Sequence, residues 1–127
     1  MTSHALHALA GERTLMRIHV GEADRFDGKL LYEVIVDTLR RHHLAGATVT
    51  QCIMGFGASR ALHSWTTEYA SLDMPVVIDC VDDEARIREV LPELDQMIGG
   101  GVITLERAAV VVYRARQKDT PTGGTLT

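Results

Sequence analysis

Cysteine is scarce in this 127-residue chain: there are two, Cys52 and Cys80. Both fall in stretches that read as strands. No disulfide framework is expected, and buried free thiols in a reducing compartment are. No apolar run approaches the roughly 18 residues of a membrane span. The N-terminus lacks the charged start and unbroken apolar core of a signal peptide, so the chain reads as cytosolic. Positive charge is not in excess either. Lys and Arg number 13 against 17 Asp and Glu, a net charge of −4, without the basic stripe of a nucleic-acid binder.

Catalytic signatures are missing too. There is no nucleophile elbow, no Walker loop and no kinase signature. Ser59 and Ser64 lie near His63, but nothing supplies a third group to orient such a pair. The six histidines, His4, His7, His19, His42, His43 and His63, include no HxxxH pair, and the cysteines form no CxxC. His42 and His43 are adjacent and would point about 100° apart on a helix, which disfavours joint chelation. Neither an enzyme nor a metal site is expected.

What is present is an ordinary globular composition, 46% hydrophobic and 24% charged, in a length that fits one domain. Residues 14–20 alternate as a strand, with Met16, Ile18 and Val20 on one face and Leu15, Arg17 and His19 on the other. A helix is expected over 27–44. Leu31, Val34, Ile35 and Leu39 form its buried stripe, Asp24 or Asp27 its cap, and Gly46 its stop. A second strand is expected over 47–54 and a third over 74–81. The next helix begins at Asp82 or Asp83, with Ile87, Val90, Leu91, Leu94, Met97 and Ile98 at helical spacing. Pro92 inside that pattern predicts a kink or two short helices. A fourth strand runs from Val102 to about Tyr113. The domain is placed at 14–116, with 1–13 and 117–127 as flexible termini.

Two glycine clusters punctuate this order. Gly55-Phe56-Gly57 closes the second strand and opens a long stretch with no clean period, a length usually functional or disordered. Gly99-Gly100-Gly101 ends the second helix. Taken alone, the first reads equally as a bulge and turn, and the second as a helix stop. The element order is βαββαβ, an α+β ferredoxin-like sandwich. Right-handed crossovers put both helices on one face of a four-stranded antiparallel sheet. The other face is half apolar, which predicts burial by further copies of the chain.

Gly46-Ala47-Thr48-Val49-Thr50 followed by Gly55-Phe56-Gly57 resembles the strand-to-T-loop junction of PII signalling proteins. The chain is more similar still to a PII-like family of prokaryotic proteins of uncharacterised function (the DUF 190 or UPF 0166 type). That resemblance rests on Gly46-Ala47-Thr48-Val49, Met54-Gly55-Phe56-Gly57, residues 72–77, Leu94-Asp95 and the glycine triplet, and spans about 15–113. It implies a homotrimer binding an adenine nucleotide such as AMP, ADP or ATP between subunits, with no obligatory cofactor. It also implies a T-loop, here about 56–73, that docks on a partner such as a membrane transporter or an enzyme.

The ligand-binding residues implied are Gly55, Phe56, Gly57, Ser59, Arg60 and His63 from the loop side. Gly99, Gly100 and Gly101 would complete the cleft with Arg114 and Arg116, whose guanidinium groups suit a phosphate. Consecutive glycines also leave backbone N–H groups free to cradle an anion. The lysine that PII proteins carry after the glycine turn is replaced here by Val102-Ile103, which favours a smaller or less charged nucleotide. Two other readings stay open: a metal-handling or structural trimer like the CutA proteins, and a nucleotide-independent module for a transport protein.

Overall fold

The structure, a computed structural model, describes residues 9–57, 62–64 and 73–116, with backbone alone at 63 and 64. Four strands form the main sheet: β1 (Gly11–Gly21), β4 (Thr48–Gln51), β7 (Pro75–Asp82) and β8 (Val102–Val110), in the order β4-β7-β1-β8 and antiparallel throughout. Two helices, α1 (Leu31–Arg41) and α2 (Glu84–Met97), complete the expected βαββαβ sandwich. Two short ladders join β2 (Arg25–Phe26) to β3 (Lys29–Leu30) and β5 (Met54–Gly55) to β6 (His63–Ser64). Among the described residues no helix is long and apolar enough to cross a membrane.

Alternation decides which sheet face is buried. Met16, Ile18 and Val20 of β1 and Val76, Ile78 and Cys80 of β7 join Leu31, Ile35 and Leu39 of α1 and Ile87, Val90, Leu94 and Met97 of α2 in one core. Met16, Ile18, Ile35, Ile78, Ile87, Val90 and Leu94 are wholly inaccessible. Each such side chain contributes about 1.5–3 kcal/mol relative to exposure. Leu15, Arg17 and His19 point to the opposite face, as expected, and Arg17 bonds Asp79 directly across the ladder at 2.9 Å. Thr38 enters the apolar stripe of α1 because its hydroxyl donates to the Val34 carbonyl at 2.8 Å, a local satisfaction open to a helical threonine.

Several boundaries differ from expectation, each for a physical reason. β1 begins at Gly11, three residues before 14. Pairing with β8, Gly11 opposite Val110, carries the polar Glu12 and Arg13 without apolar alternation. The helix expected from 27 starts at Leu31, because Asp27 and Gly28 close the β2–β3 hairpin at φ 52° and 77°. Asp-Gly with positive φ at both positions is the type I′ signal. Neither Asp24 nor Asp27 caps α1, whose cap position, Leu30, makes no side-chain cap bond. Asp24 instead accepts the Gly21 N–H at 2.8 Å.

α1 does not stop at Gly46. It ends at Arg41, and His43 just past the cap takes φ 62°, with Leu44 N–H on the Leu39 carbonyl and His43 N–H on the Arg40 carbonyl, a Schellman motif. β4 stops at Gln51, so Cys52 lies just past it, donating its N–H to the Pro75 carbonyl at 2.8 Å. α2 is one helix through Pro92 rather than two. Pro92 and Arg88, whose carbonyl loses its helical donor, are both exposed, where water meets the carbonyl's need. β8 ends at Val110 rather than near 113, where its ladder with β1 stops at Gly11, whose φ of 111° turns the backbone out of the extended strand.

Candidate functional site

The loop-side residues sit where β4 leaves the sheet. After Ile53 the chain forms β5, with Met54 opposite Ser64 and Gly55 opposite His63. A Cβ at Gly55 would press on the Pro75 ring at 3.1 Å, so a larger residue there requires that ring to give by a few tenths of an ångström. Among the described residues nothing lies within 4 Å of a Cβ at Gly57, and Phe56 is 61% exposed. His63 is placed by its backbone alone, opposite Gly55. Ser59 and Arg60 lie outside the described residues.

The triplet after α2 divides by role. Ile98 donates its N–H to the Leu94 carbonyl at 3.1 Å, closing the helix. A Cβ at Gly99 or Gly100 would meet nothing within 4 Å. Gly101 is different: its φ is +147°, and a Cβ would collide with the His19 carbonyl oxygen. Gly101 therefore serves the junction with β1, while Gly99 and Gly100 present backbone to solvent.

Register relates the two clusters. Gln51 pairs Val76, Val76 pairs Val20, and the neighbouring His19 pairs Val102. Both clusters thus stand at the same end of the sheet, on opposite edges. With strands spaced about 4.8 Å apart, three spacings separate the ends of β4 and β8, next to the clusters, by roughly 14 Å. Arg114 and Arg116, both exposed, follow β8 past its far end, where the Tyr113 hydroxyl donates to the Ala45 carbonyl at 3.0 Å. Among the described residues, one chain does not gather the candidates Gly55, Phe56 and Gly57, the glycine triplet and Arg114 with Arg116 around a single cavity.

The family model of DUF190, described as "Uncharacterized ACR", matches residues 13–110. The chain belongs to the DUF190 family. A UPF0166 protein of Methanocaldococcus jannaschii is 38% identical over 84 residues, covering 66% of this chain and 77% of that protein. One from Aquifex aeolicus is 30% identical over 100 residues, covering 79% and 94%. Among solved structures the chain is similar to CPII, a nitrogen regulatory PII-like protein from Thiomonas intermedia K12, bound to ADP, AMP and bicarbonate. The TM-score is 0.56 at 17% identity, over 76% of this chain and 86% of that one. CPII bound to ADP and bicarbonate matches at TM-score 0.51 and 16% identity, with the same coverage. The likeness is one of fold, and the fold of this DUF190 chain is PII-like.

Three electrostatic features of the DUF190 chain bear on its chemistry. The Arg17 guanidinium is held above its usual range, chiefly by its hydrogen bond to Asp79 on the open sheet face. Glu93 of α2 lies below the usual carboxylate range, first because of its 2.8 Å contact with His42 and then because of Arg41. Burial, with Asp82 nearby, pushes the Cys80 thiol up to about 12, so it stays protonated and inert. Among the described residues no group of three or more His, Cys, Asp or Glu could hold a metal ion.

Sequence reasoning missed two features. A groove of about 560 Å³ lies between the β2–β3 hairpin and α1, lined by Phe26, Leu30 and Val34 and by charges of both signs. Its cations Arg25, Lys29 and Arg41 match its carboxylates Asp27, Glu33 and Asp37 in number, so it favours neither sign. The second feature is a set of polar contacts of Glu22 and Asp73 with Gln51 and Ala23, at the two ends of the segment 52–73. Asp-Gly at 27–28 could have flagged the hairpin. No sequence signal marks the loop-root contacts.

Proposed function

We propose that this DUF190 protein is a PII-like regulator that binds an adenine nucleotide between subunits of a homotrimer. The placement of Gly55-Phe56-Gly57 and Gly99-Gly100 carries the reading. The two segments occupy one end of the sheet on opposite edges, so the β4 edge of one copy and the β8 edge of the next would bring them together. The same PII-like fold in CPII holds ADP, AMP and bicarbonate, which supports the ligand class.

In this reading Gly55, Phe56, Gly57, Ser59, Arg60 and His63 come from one chain. Gly99, Gly100 and Gly101 come from its neighbour, and exposed N–H groups of the triplet receive the phosphate. Arg114 and Arg116, at the other end of the sheet, contribute from a neighbouring copy if they enter the cleft. Ligand binding shifts the population of the 56–73 loop, which meets a transporter or enzyme partner. The protein regulates rather than catalyses, and acts in the cytoplasm.

A thermal-shift screen with AMP, ADP and ATP, each with and without bicarbonate, tests the proposal. A nucleotide at 100 times its Kd stabilises the fold by about 2.7 kcal/mol. Among the described residues a Cβ at Gly57 or Gly100 meets nothing within 4 Å, so Gly57→Val and Gly100→Val should keep the basal Tm and lose the nucleotide response. Unchanged affinity in both variants would refute the site assignment.

A further inference from the structure

We infer that the turn at 21–24 positions Gly55-Phe56-Gly57, with Glu22 and Asp73 as the positioning residues; the consequence for ligand affinity rests on the nucleotide-binding reading above. Both roots of the segment 52–73 are tied to this one turn. At the leading root, the Gln51 side-chain amide donates to the Glu22 carboxylate at 2.7 Å. At the trailing root, the Ala23 N–H donates to the Asp73 carboxylate at 3.0 Å, and the Glu22 N–H to the Met74 carbonyl at 2.7 Å. Consecutive residues of one turn therefore set the distance between the two roots.

The glycine stretch takes its place from those roots. Cys52 donates to the Pro75 carbonyl, and Gly55 lies against the Pro75 ring. Pro75 directly follows the Asp73-Met74 pair that the turn holds. Pro75 is also paired opposite Gly21 in the β1–β7 ladder, so the turn and the ladder together hold the surface on which Gly55 rests.

Packing at the turn leaves little freedom. A Cβ at Gly21 would stand 2.6 Å from an Asp73 carboxylate oxygen and 3.0 Å from one of Asp24. Asp24 accepts the Gly21 N–H, and its carbonyl accepts the Leu31 N–H at 2.8 Å, where α1 starts. One short turn thus joins the loop roots to the first turn of α1. These bonds go to backbone donors or an amide, so a carbonyl oxygen can replace the carboxylate. This separates positioning from charge.

Amide hydrogen exchange on the ligand-free, full-length protein tests the inference. Asp73→Ala should speed exchange at Met54 and Gly55 by about tenfold, because their local opening no longer works against the anchored root. Amides in the centre of α2 should keep their rates. Asp73→Asn, which still accepts the Ala23 N–H, should restore the native rates, and Glu22→Ala should reproduce the Asp73→Ala effect in a second variant. Native exchange rates in both alanine variants, or equal loss in Asp73→Ala and Asp73→Asn, would overturn the inference. With ADP as probe, Asp73→Ala should weaken affinity by about tenfold and Asp73→Asn should not. A native protein that binds no adenine nucleotide would count against the nucleotide reading alone, and the exchange rates would still decide the positioning role.

Discussion

Gly101 lies so close to the carbonyl oxygen of His19 that no side chain fits between them. The contact fixes where α2 hands over to β8, and it sets Gly101 apart from its two neighbours. Gly101→Ala should lose about 2 kcal/mol, from a forced backbone shift added to an unfavourable φ. Gly99→Ala and Gly100→Ala should stay within about 0.5 kcal/mol of the parent. Thermal denaturation of the three variants measures this, and equal losses would erase the distinction.

His43 occupies a left-handed position at the end of α1. That conformation costs a non-glycine residue about 1–2 kcal/mol, partly offset by the greater freedom glycine loses on folding. His43→Gly keeps the backbone carbonyl that Arg86 reaches and should gain roughly 0.5 kcal/mol, whereas His43→Val should lose stability. Urea midpoints at constant m-value report both changes.

The contact between α1 and α2 through His42, Arg41 and Glu93 makes stability depend on acid. Glu93 has a folded pKa below its ordinary value of 4.5 because its partners favour the carboxylate. Its contribution is therefore complete above that ordinary value and is lost as pH falls through the lower, folded one. Glu93→Gln should have a lower Tm than the parent near neutrality, with the gap closing in acid. A gap independent of pH would assign the effect to packing.

The two thiols should differ in reactivity. Cys80 is buried and held protonated, while Cys52 is partly exposed just beyond β4. Iodoacetamide on the native protein should label Cys52 first and reach Cys80 on unfolding. Mass mapping of the modified peptides distinguishes the order, and early labelling of Cys80 would contradict the core described here.

Much of this fold is legible in the chain. The period-two set Met16, Ile18, Val20 and most of the helical sets on α1 and α2 are buried as their spacing predicts, with Val34, Leu91 and Ile98 only partly buried at the stripe margins, because burial needs a repeat matching the geometry of the element. Ends were less legible. The Asp27-Gly28 turn, the His43 stop and the early end of β8 depend on partners or dihedrals that periodicity does not encode. At the site, glycine spacing marked two segments that the sheet brings to one end, but whether a glycine serves the fold or a ligand depends on what a Cβ would meet. Gly101 and Gly57 differ in that respect and in backbone φ, which is +147° at Gly101. Glu22 and Asp73 were illegible because ordinary turn residues gain meaning only when the sheet brings them beside Gln51 and Ala23.

Native mass spectrometry of the full-length chain with and without ADP or AMP tests the central claim most directly, since it reads assembly and occupancy together. The account predicts a trimer carrying up to three nucleotides, one per cleft, with Gly57→Val leaving the trimer and emptying the clefts. A chain that stays monomeric, or a trimer that holds no adenine nucleotide, would contradict it.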